Sequence, residues 1–434
     1  MTAADGRTAG EEFVLLAMPD MNGSIRGKAL RPAAFESAVE HGTVMTDLIL
    51  GLDPTDTPIV DYERFGIRTG AADLIVRPEP DTLRELAWRP GWRICLATPS
   101  WPDGRPCGFA VREVHRKVIE DLAGLGYEAM AAIEYEIRIW DGHGEPTSSG
   151  ISYSLQEIGA YDRFLDELVP ALDGLGVEVS AVHTEAGPGL LELNLAPGRG
   201  VDAADAGAMT KFAVKQVAAA MDLRASFIAK TAPGEEGSSG HVHLSCWQGD
   251  TNAFAGASAT DPVPEVFGSA VAGVLEHLPA ASLLLNPTIN SYKRLVPGWF
   301  APINATWGYE NRSCALRAIR SDRPELWRFE CRRPGADANP YLALAAIGAS
   351  AAAGIRSSSK PPDPIEGDAY ARADLPELPG SLESAIRAFQ ADTVLREALG
   401  TEFADYFVTS REWELKAWRE TVTDWERERY DRAV

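Results

Sequence analysis

An α+β fold is predicted for this chain, with strand-forming segments that carry charged residues set between longer helical segments. Three observations carry that expectation. The two-residue alternation of a strand recurs in Glu134-Tyr135-Glu136, in His241-Val242-His243 and in Arg328-Phe329-Glu330-Cys331-Arg332. Between and around these lie stretches with apolar residues at three- and four-residue spacing, at 110–124, 158–172, 202–221, 263–277 and 339–353, which read as helices packed outside an antiparallel sheet. At 434 residues, the chain also exceeds one typical domain, so two domains sharing an interface are expected.

Residues 1–108 read as a small β-rich domain. Phe13-Val14-Leu15-Leu16 is a short apolar run, Asp20-Met21-Asn22-Gly23 is a turn signal, and the strand-like stretches 73–77 and 93–97 follow. The turn-dense stretch from Pro99 to Pro106 marks the boundary, and residues 109–434 are expected to form the second domain. Its first helix carries Val111, Val114, Val118, Ile119 and Leu122 on one stripe. The prolines of 357–364 exclude a helix there, and 382–399 and 410–430 read as terminal helices. Trp413, Trp418 and Trp425 lie among charges in the last of these and are expected to pack on the body or on a neighbouring subunit.

The balance of 63 acidic to 41 basic residues, formally −22, argues against nucleic acid or an anionic membrane as partner. Met1 to Asp5 has neither a basic start nor an apolar run, so a cytoplasmic protein is expected. Five dispersed cysteines with no CxxC pair argue against a disulfide framework or a zinc site and read as buried thiols.

Alternation places Glu134 and Glu136 on one face of a strand, His241 and His243 on one face of another, and Arg328, Glu330 and Arg332 on one face of a third. Carboxylates, imidazoles and guanidiniums aimed into one space are costly to bury unless something binds there. Hard divalent cations and phosphates suit those donors. An ExE pair alone is ordinarily a solvated strand edge, but Met130-Ala131-Ala132-Ile133 before it is apolar. Gly187-Pro188-Gly189 and the stretch 234–240 allow close backbone approach to a ligand, yet neither is a P-loop or a dinucleotide fingerprint.

Six segments, AAIEYE, HTEAGPGLLELNL, GEEGSSGHVHLS, NPTINSYKRLVPG, NRSCALR and RFECRRPGADANPYLALAA, occur in an order and spacing that resembles the glutamine synthetase superfamily from about residue 12 to about residue 430. The resemblance implies a β-grasp-like N-terminal domain and a catalytic domain with a curved antiparallel sheet surrounded by helices. It implies an ATP-dependent ligase that phosphorylates the glutamate γ-carboxyl and uses Mg²⁺ or Mn²⁺ in a two-metal site. By the same resemblance Glu136, Glu185 and Glu192 surround the metal on the substrate side, and Glu134, His241 and Glu330 surround the metal on the nucleotide phosphates. His243, Ser245, Arg317 and Arg328 are implied for ATP, and Glu136, Gly237, Arg294, Arg312 and Arg332 for glutamate. Arg312, Arg317 and Glu185 are implied in catalysis. Arg320, Arg323 and Arg333 read instead as surface ion pairs. A ring-shaped homo-oligomer, a dodecamer, is implied too, each active site being completed by the N-terminal domain of an adjacent subunit.

Two departures from glutamine synthetases bear on the nucleophile. The flap 297–302 carries Phe300 where the family has a glutamate that gathers ammonium, and a phenyl ring neither holds a cation by charge nor accepts a proton. The early ammonium-binding aspartate falls on Thr46 or Asp47, depending on alignment by one residue. Ammonia is therefore a poor candidate, whereas an organic amine would bury hydrocarbon against Trp299 and Phe300 at roughly 0.8 kcal/mol per CH₂. The branch this resembles comprises the γ-glutamyl alkylamide, anilide and ethanolamide synthetases; a polyamine would want further acidic residues. Glu236 stands where the family has Asn: a backbone contact to substrate leaves recognition unaltered, a side-chain contact changes it. The alternatives are a glutamine synthetase with a rebuilt ammonium site, or a catalytically silent sensor of glutamate or nucleotide.

Overall fold

A computed structural model describes residues 12–434; the reading of Met1 to Asp5 lies outside the described residues. The first sheet takes the order β2-β1-β6-β4-β3 from strands β1 (Phe13–Pro19), β2 (Ile25–Leu30), β3 (Thr43–Thr46), β4 (Asp73–Pro78), β5 (Arg84–Glu85) and β6 (Trp92–Ser100), with β5 on β6. Helix α1 (Pro32–His41) connects β2 to β3. β1 and β6 run parallel in a sheet that is otherwise antiparallel. The alternation of β4 buries Leu74 and Val76 completely, as expected for a strand with one face on the core.

After α2 (Val111–Gly124) comes the longest strand, β7 (Glu128–Trp140). Helices α3 (Leu155–Ile158) and α4 (Asp162–Gly174) lead into β8 (Val179–Thr184), β9 (Leu190–Leu195) and β10 (Gly198–Arg199). Helix α5 (Asp202–Ala220), β11 (Arg224–Ser226), β12 (Gly240–Gln248), β13 (Thr251–Asn252), α6 (Glu265–Leu285) and α7 (Ser291–Arg294) follow. The sheet is completed by β14 (Trp307–Tyr309), β15 (Leu316–Ile319) and β16 (Arg328–Cys331). These build a ten-stranded sheet in the order β14-β15-β16-β12-β7-β9-β8, with β10 and β11 on β7 and β13 on β12, antiparallel except for β14 beside β15. The chain ends in α8 (Pro340–Ser357), α9 (Leu382–Ala391), α10 (Thr393–Leu399), α11 (Thr401–Glu420) and α12 (Asp424–Tyr430).

Helix ends follow local chemistry. Asn339 accepts from the Tyr341 amide, with Pro340 at the first helical position, and starts α8. The helix expected over 382–399 is broken because Asp392 is extended and its carboxylate caps α10 through the Leu395 amide. The helix expected over 410–430 begins earlier, at Thr401, stops at Glu420, and restarts behind a capping box of Thr423 and Glu426. α4 begins at Asp162 rather than near Ile158, and α6 runs past His277 to Leu285. α6 is long and apolar enough to cross a membrane, but 89% of its most apolar window is buried in the fold, as in a core helix.

The hydrophobic core is continuous from the first sheet (Leu74, Val76, Leu96) through the second (Ile133, Leu193, Leu244, Phe329) to α8 and α11. α11 locks onto the first sheet's loops: the Tyr406 hydroxyl donates to the Leu50 carbonyl and Tyr62 donates to the Tyr406 carbonyl. All five cysteines are buried and free. Arg333, expected at the surface, is 1% exposed and donates to the carbonyls of Pro302 and Pro379, which tie the flap region to the segment before α9. Trp413 packs against the core, while Trp418 and Trp425 are exposed.

Candidate active site

The register of the second sheet sets charged residues directly across from one another. His241 on β12 is paired with Glu134 on β7, and His243 with Glu330 on β16. Arg317 on β15 is opposite Glu330, and Glu136 on β7 is opposite Glu192 on β9, which is itself opposite His183 on β8. The side chains of one sheet face thus line an open cavity of about 620 Å³ together with residues from the loops above it. Glu134, Glu136, Glu185, Glu192, Glu330, Gly237, His241, Arg294, Arg312, Arg317, Arg332, Trp299 and Phe300, all singled out in the sequence, line it.

Two tight groups of donor atoms lie in or beside it, His243 being the one member that does not line the cavity. In the first, Glu134, His243 and Glu330 bring one ligand atom each within 4.8 Å of the others; in the second, His183, Glu185 and Glu192 do the same. The expected grouping placed His241 in the first and His243 on the nucleotide side. In the structure both imidazoles reach Glu134, with His243 Nε2 at 2.9 Å and His241 Nδ1 at 3.8 Å, and His241 is also 3.3 Å from Glu330. Glu136 is partly committed elsewhere, since its carboxylate accepts from the Ser239 amide at 2.6 Å. His183 takes its place in the second group, 3.3 Å from Glu185 and 3.1 Å from Glu192.

The electrostatics follow from this crowding. Burial pushes the Glu185 carboxyl up to about 7, and the charges of Glu136 and Glu192 add to the rise. Burial also raises Glu330, but Arg332 and then His241 override it and hold the carboxyl down at about 2. Glu134 is raised by burial and pulled well below the carboxylate range by His243 and His241. His241 is lowered by burial and by Arg332. Oxygen and imidazole donors without a thiolate, with Glu185 crowded by two further carboxylates, fit divalent cations of the hard kind. A bound cation would relieve that repulsion.

The arginines differ in how free they are. Arg294 donates to the carbonyls of Arg333 and Arg332, and burial lowers its pKa. Arg332 is ion-paired with Glu330 and donates to the Arg312 carbonyl. Arg317 bridges Glu310 and Glu330. The Arg312 guanidinium is exposed within the cavity and has no hydrogen-bond partner among the described residues. Arg328 donates to His243 Nδ1 at 3.0 Å, beside the first group of donors but outside the cavity lining. Ser245 is one alternation further along β12, where it accepts from the Trp247 indole, and it does not line the cavity either. A Cβ on Gly237 would stand 2.6 Å from the Ala229 carbonyl oxygen and from Arg294 Cγ, so only glycine lets this loop close over Arg294.

Thr46 and Asp47 are not brought to this cavity within the chain. Thr46 Oγ1 donates to the Ala71 carbonyl and accepts from the Leu48 amide, while the Asp47 carboxylate accepts from the Gly66 amide and the Thr69 hydroxyl. Three site residues were missed in the sequence. His183 was visible two residues before Glu185 in the same strand alternation, and Arg138 continues the Glu134 and Glu136 face of β7. Tyr153 lies in an irregular loop where no periodicity flags it. Arg138 donates to the carbonyls of Pro188 and Glu236, both at 2.5 Å, and so cross-ties the two glycine-containing loops.

A mixed-charge cavity on one face of an antiparallel sheet, with two carboxylate–imidazole groups beside arginines, defines an enzyme site built for cations and for phosphate- or carboxylate-bearing substrates. Residues 109–430 match the glutamine synthetase catalytic domain, and the chain belongs to the glutamine synthetase family. It is 34% identical to a γ-glutamylethanolamide synthetase of Streptomyces coelicolor, covering 96% of this chain and 91% of that protein. It is 32% identical to a glutamate–isopropylamine ligase of a Pseudomonas species, covering 96% and 95%. A type-1 glutamine synthetase of Dictyostelium discoideum matches at 33%, covering 96% and 83%, so identity alone does not choose the nucleophile. A solved structure described as a GmaS–ADP complex superposes with a TM-score of 0.85 at 27% identity, over 97% of this chain and 96% of that one.

Proposed function

We propose that this protein is an ATP-dependent ligase that joins the γ-carboxyl of glutamate to an organic amine, giving a γ-glutamylamide. The observation that carries the choice of nucleophile is the flap: Trp299 and Phe300 line the cavity, with an aromatic ring at the position where ammonium handling calls for a carboxylate. Two of the relatives are named for amines with carbon substituents.

A γ-carboxylate oxygen of glutamate attacks the terminal phosphorus of ATP, and ADP leaves. The amine nitrogen then attacks the acyl carbon, the C–O bond breaks, phosphate departs with the electron pair, and the nitrogen loses a proton to a cavity carboxylate, the role proposed for Glu185. Arg294 and Arg332 hold the glutamate α-carboxylate, with Gly237 and Glu136 beside it. Arg312, free in the cavity, and Arg317 and Arg328 meet the phosphates, where a planar guanidinium donates two hydrogen bonds at once. His243 and Ser245 belong to the nucleotide side.

Glu134, Glu136, Glu185, Glu192, His241 and Glu330, joined by His183 and His243, would hold Mg²⁺ or Mn²⁺, which when bound neutralise charge on the transferring phosphoryl group. Ring assembly into a dodecamer is part of the same reading, with Thr46 or Asp47 of an adjacent copy reaching the amine side, as is a cytoplasmic location. The test is phosphate release with glutamate, ATP and Mg²⁺ or Mn²⁺ against a panel of amines and ammonium. Turnover with ammonium that exceeds every organic amine would overturn the reading.

A further inference from the structure

A second cavity, of about 300 Å³, lies where the turn 21–24 meets α5, α11 and the segment leading into α8. It is on the far side of β7 from the active site. The Lys211 ammonium that lines it stands 5.3 Å from the ring centre of Tyr135, a side chain that alternates away from Glu134 and Glu136. Two buried cations line this cavity, Lys211 on α5 at 7% exposure and Arg411 on α11 at 2%. Among the described residues neither has a carboxylate in ion-pair contact. Lys211 Nζ donates to the Ala338 carbonyl at 2.6 Å, and Arg411 donates to the Pro287 carbonyl, Asn22 Oδ1 and Ser410 Oγ. Ring faces offset part of each charge, Phe227 for Lys211 at 5.5 Å and Phe407 for Arg411 at 5.1 Å.

A buried cation without a contacting anion is costly. Burial brings Lys211 down to about 7 although Asp337 pulls the other way, and burial also lowers Arg411. Asp337 is the one carboxylate in the lining, and it is engaged, accepting from the Thr288 and Ser291 hydroxyls at 2.9 and 2.6 Å. Lys215, the third cation of the lining, is exposed and keeps its water. Two buried cations thus face one carboxylate, an excess of a single positive charge inside a chain whose formal charge is −22. The walls are fixed in advance: Asn339 donates to the Asp20 and Met21 carbonyls, and Asn22 donates to that of Leu52.

We propose that this cavity binds a small monocarboxylate, its oxygens between Lys211 and Arg411 and its hydrocarbon against Phe227 and Phe407, and that its occupation strengthens glutamate binding. The coupling rests on the ligase reading above; the site itself does not. Ser291 begins α7, which carries Arg294, and the Pro287 carbonyl that accepts from Arg411 lies just before it. Ile228 lines the cavity, and the neighbouring Ala229 carbonyl accepts from the Ser238 amide beside Gly237. An anion that neutralises the two cations firms both segments behind the glutamate side of the active site, and by linkage glutamate tightens the anion in return.

The experiment follows thermal unfolding of the full chain in sodium butyrate, with sodium chloride and inorganic phosphate for comparison, for the wild type, Lys211→Met and Ser24→Trp. Butyrate at about one hundred times its dissociation constant is expected to raise the wild-type Tm by roughly 3 °C beyond chloride. Lys211→Met keeps the apolar stem, removes the cation and loses the shift. Ser24→Trp, at an exposed position of the lining, obstructs the mouth without touching either cation and loses it too, which carries the test where Lys211→Met fails to fold. Equal shifts in all three proteins mean that butyrate sits in the active site, and they overturn the proposal, as does no shift in the wild type. A larger wild-type shift in phosphate than in butyrate overturns the carboxylate assignment. In turnover assays butyrate is expected to lower the wild-type KM for glutamate about fivefold and to leave that of both variants without the gain; an unaltered wild-type KM overturns the coupling. Absence of turnover with any amine overturns the ligase reading and leaves the thermal result to decide the site.

Discussion

Replacing Arg138 by methionine keeps the length and apolar bulk of the side chain and removes its charge and donors. The guanidinium is 1% exposed and donates at 2.5 Å to the carbonyls of Pro188 and Glu236, with Glu235 at 3.4 Å. Hydrogen bonds from a charged group contribute roughly 1.5–3 kcal/mol each, and each buried carbonyl left without a donor costs about 1–3 kcal/mol. The gross loss of roughly 3–6 kcal/mol is divided, because both carbonyls lie on loops that can turn toward water. About half of it is expected as lost global stability. The remainder loosens the loop after Glu185 against the loop carrying Gly237, which both line the cavity. A misplacement of that size is expected to raise the KM for glutamate roughly 10- to 100-fold. The KM for ATP should move far less, since Arg328 and His243 are tied to the strands and not to these loops. Parallel titrations of glutamate and ATP on the folded variant, with Arg138→Lys as a partial rescue, decide it. An equal shift of both constants would show that Arg138 acts on overall stability alone, and an unchanged glutamate constant would show that the cross-tie is idle.

Phe300→Glu places a carboxylate in the flap, and its desolvation beside an apolar amine should lower kcat/KM for organic amines by about 5- to 50-fold relative to ammonium; an unaltered ratio removes Phe300 from the amine site. Glu330→Gln keeps the shape of a residue 1% exposed but removes the charge that Arg332 pairs with and that Arg317 shares with Glu310, and turnover is expected to fall roughly 100- to 1,000-fold with a weakened response to Mn²⁺. Near-normal turnover would place the cation elsewhere. The His277–Asp392 contact at 2.7 Å holds α6 to the junction of α9 and α10; its hydrogen bond raises His277, and Asp392, raised by burial, is lowered overall by the same bond. The His277 contribution is present below its unfolded value of about 6.5 and is lost as pH rises through the higher folded value. The Asp392 contribution is present above its unfolded value of about 3.9 and is lost as pH falls through the depressed one. Asp392→Asn, which retains a capping side chain, should therefore lower stability by about 1–2 kcal/mol near pH 5.5 and by less near pH 8.5. A pH-independent difference between the two melting curves would rule the ion pair out.

Features that depend only on the local backbone were legible in the chain before any pairing. Alternation along a strand is a property of φ and ψ at each residue, so the common face of Glu134 and Glu136, and that of His241 and His243, were legible before any pairing was known. The apolar stripes of α2, α5 and α8 were legible for the same reason. Where a local signal was overridden, a single side chain did it, as when Asp392 turned to cap α10 and split one expected helix into two. Which strand lies beside which, and in what register, came from the packing of the whole chain. That pairing sets His183 across from Glu192 and His243 across from Glu330, and so regroups the expected donors around two centres. It also decided the fate of the arginines, because a guanidinium's role is fixed by the carbonyls and carboxylates within its reach. Arg333 was expected in a surface ion pair and instead ties the carbonyl of Pro302 to that of Pro379 in the interior. Arg138 and Tyr153 gain their roles from loops that meet only when residues distant in sequence are packed together, and no pattern within either segment encodes that meeting.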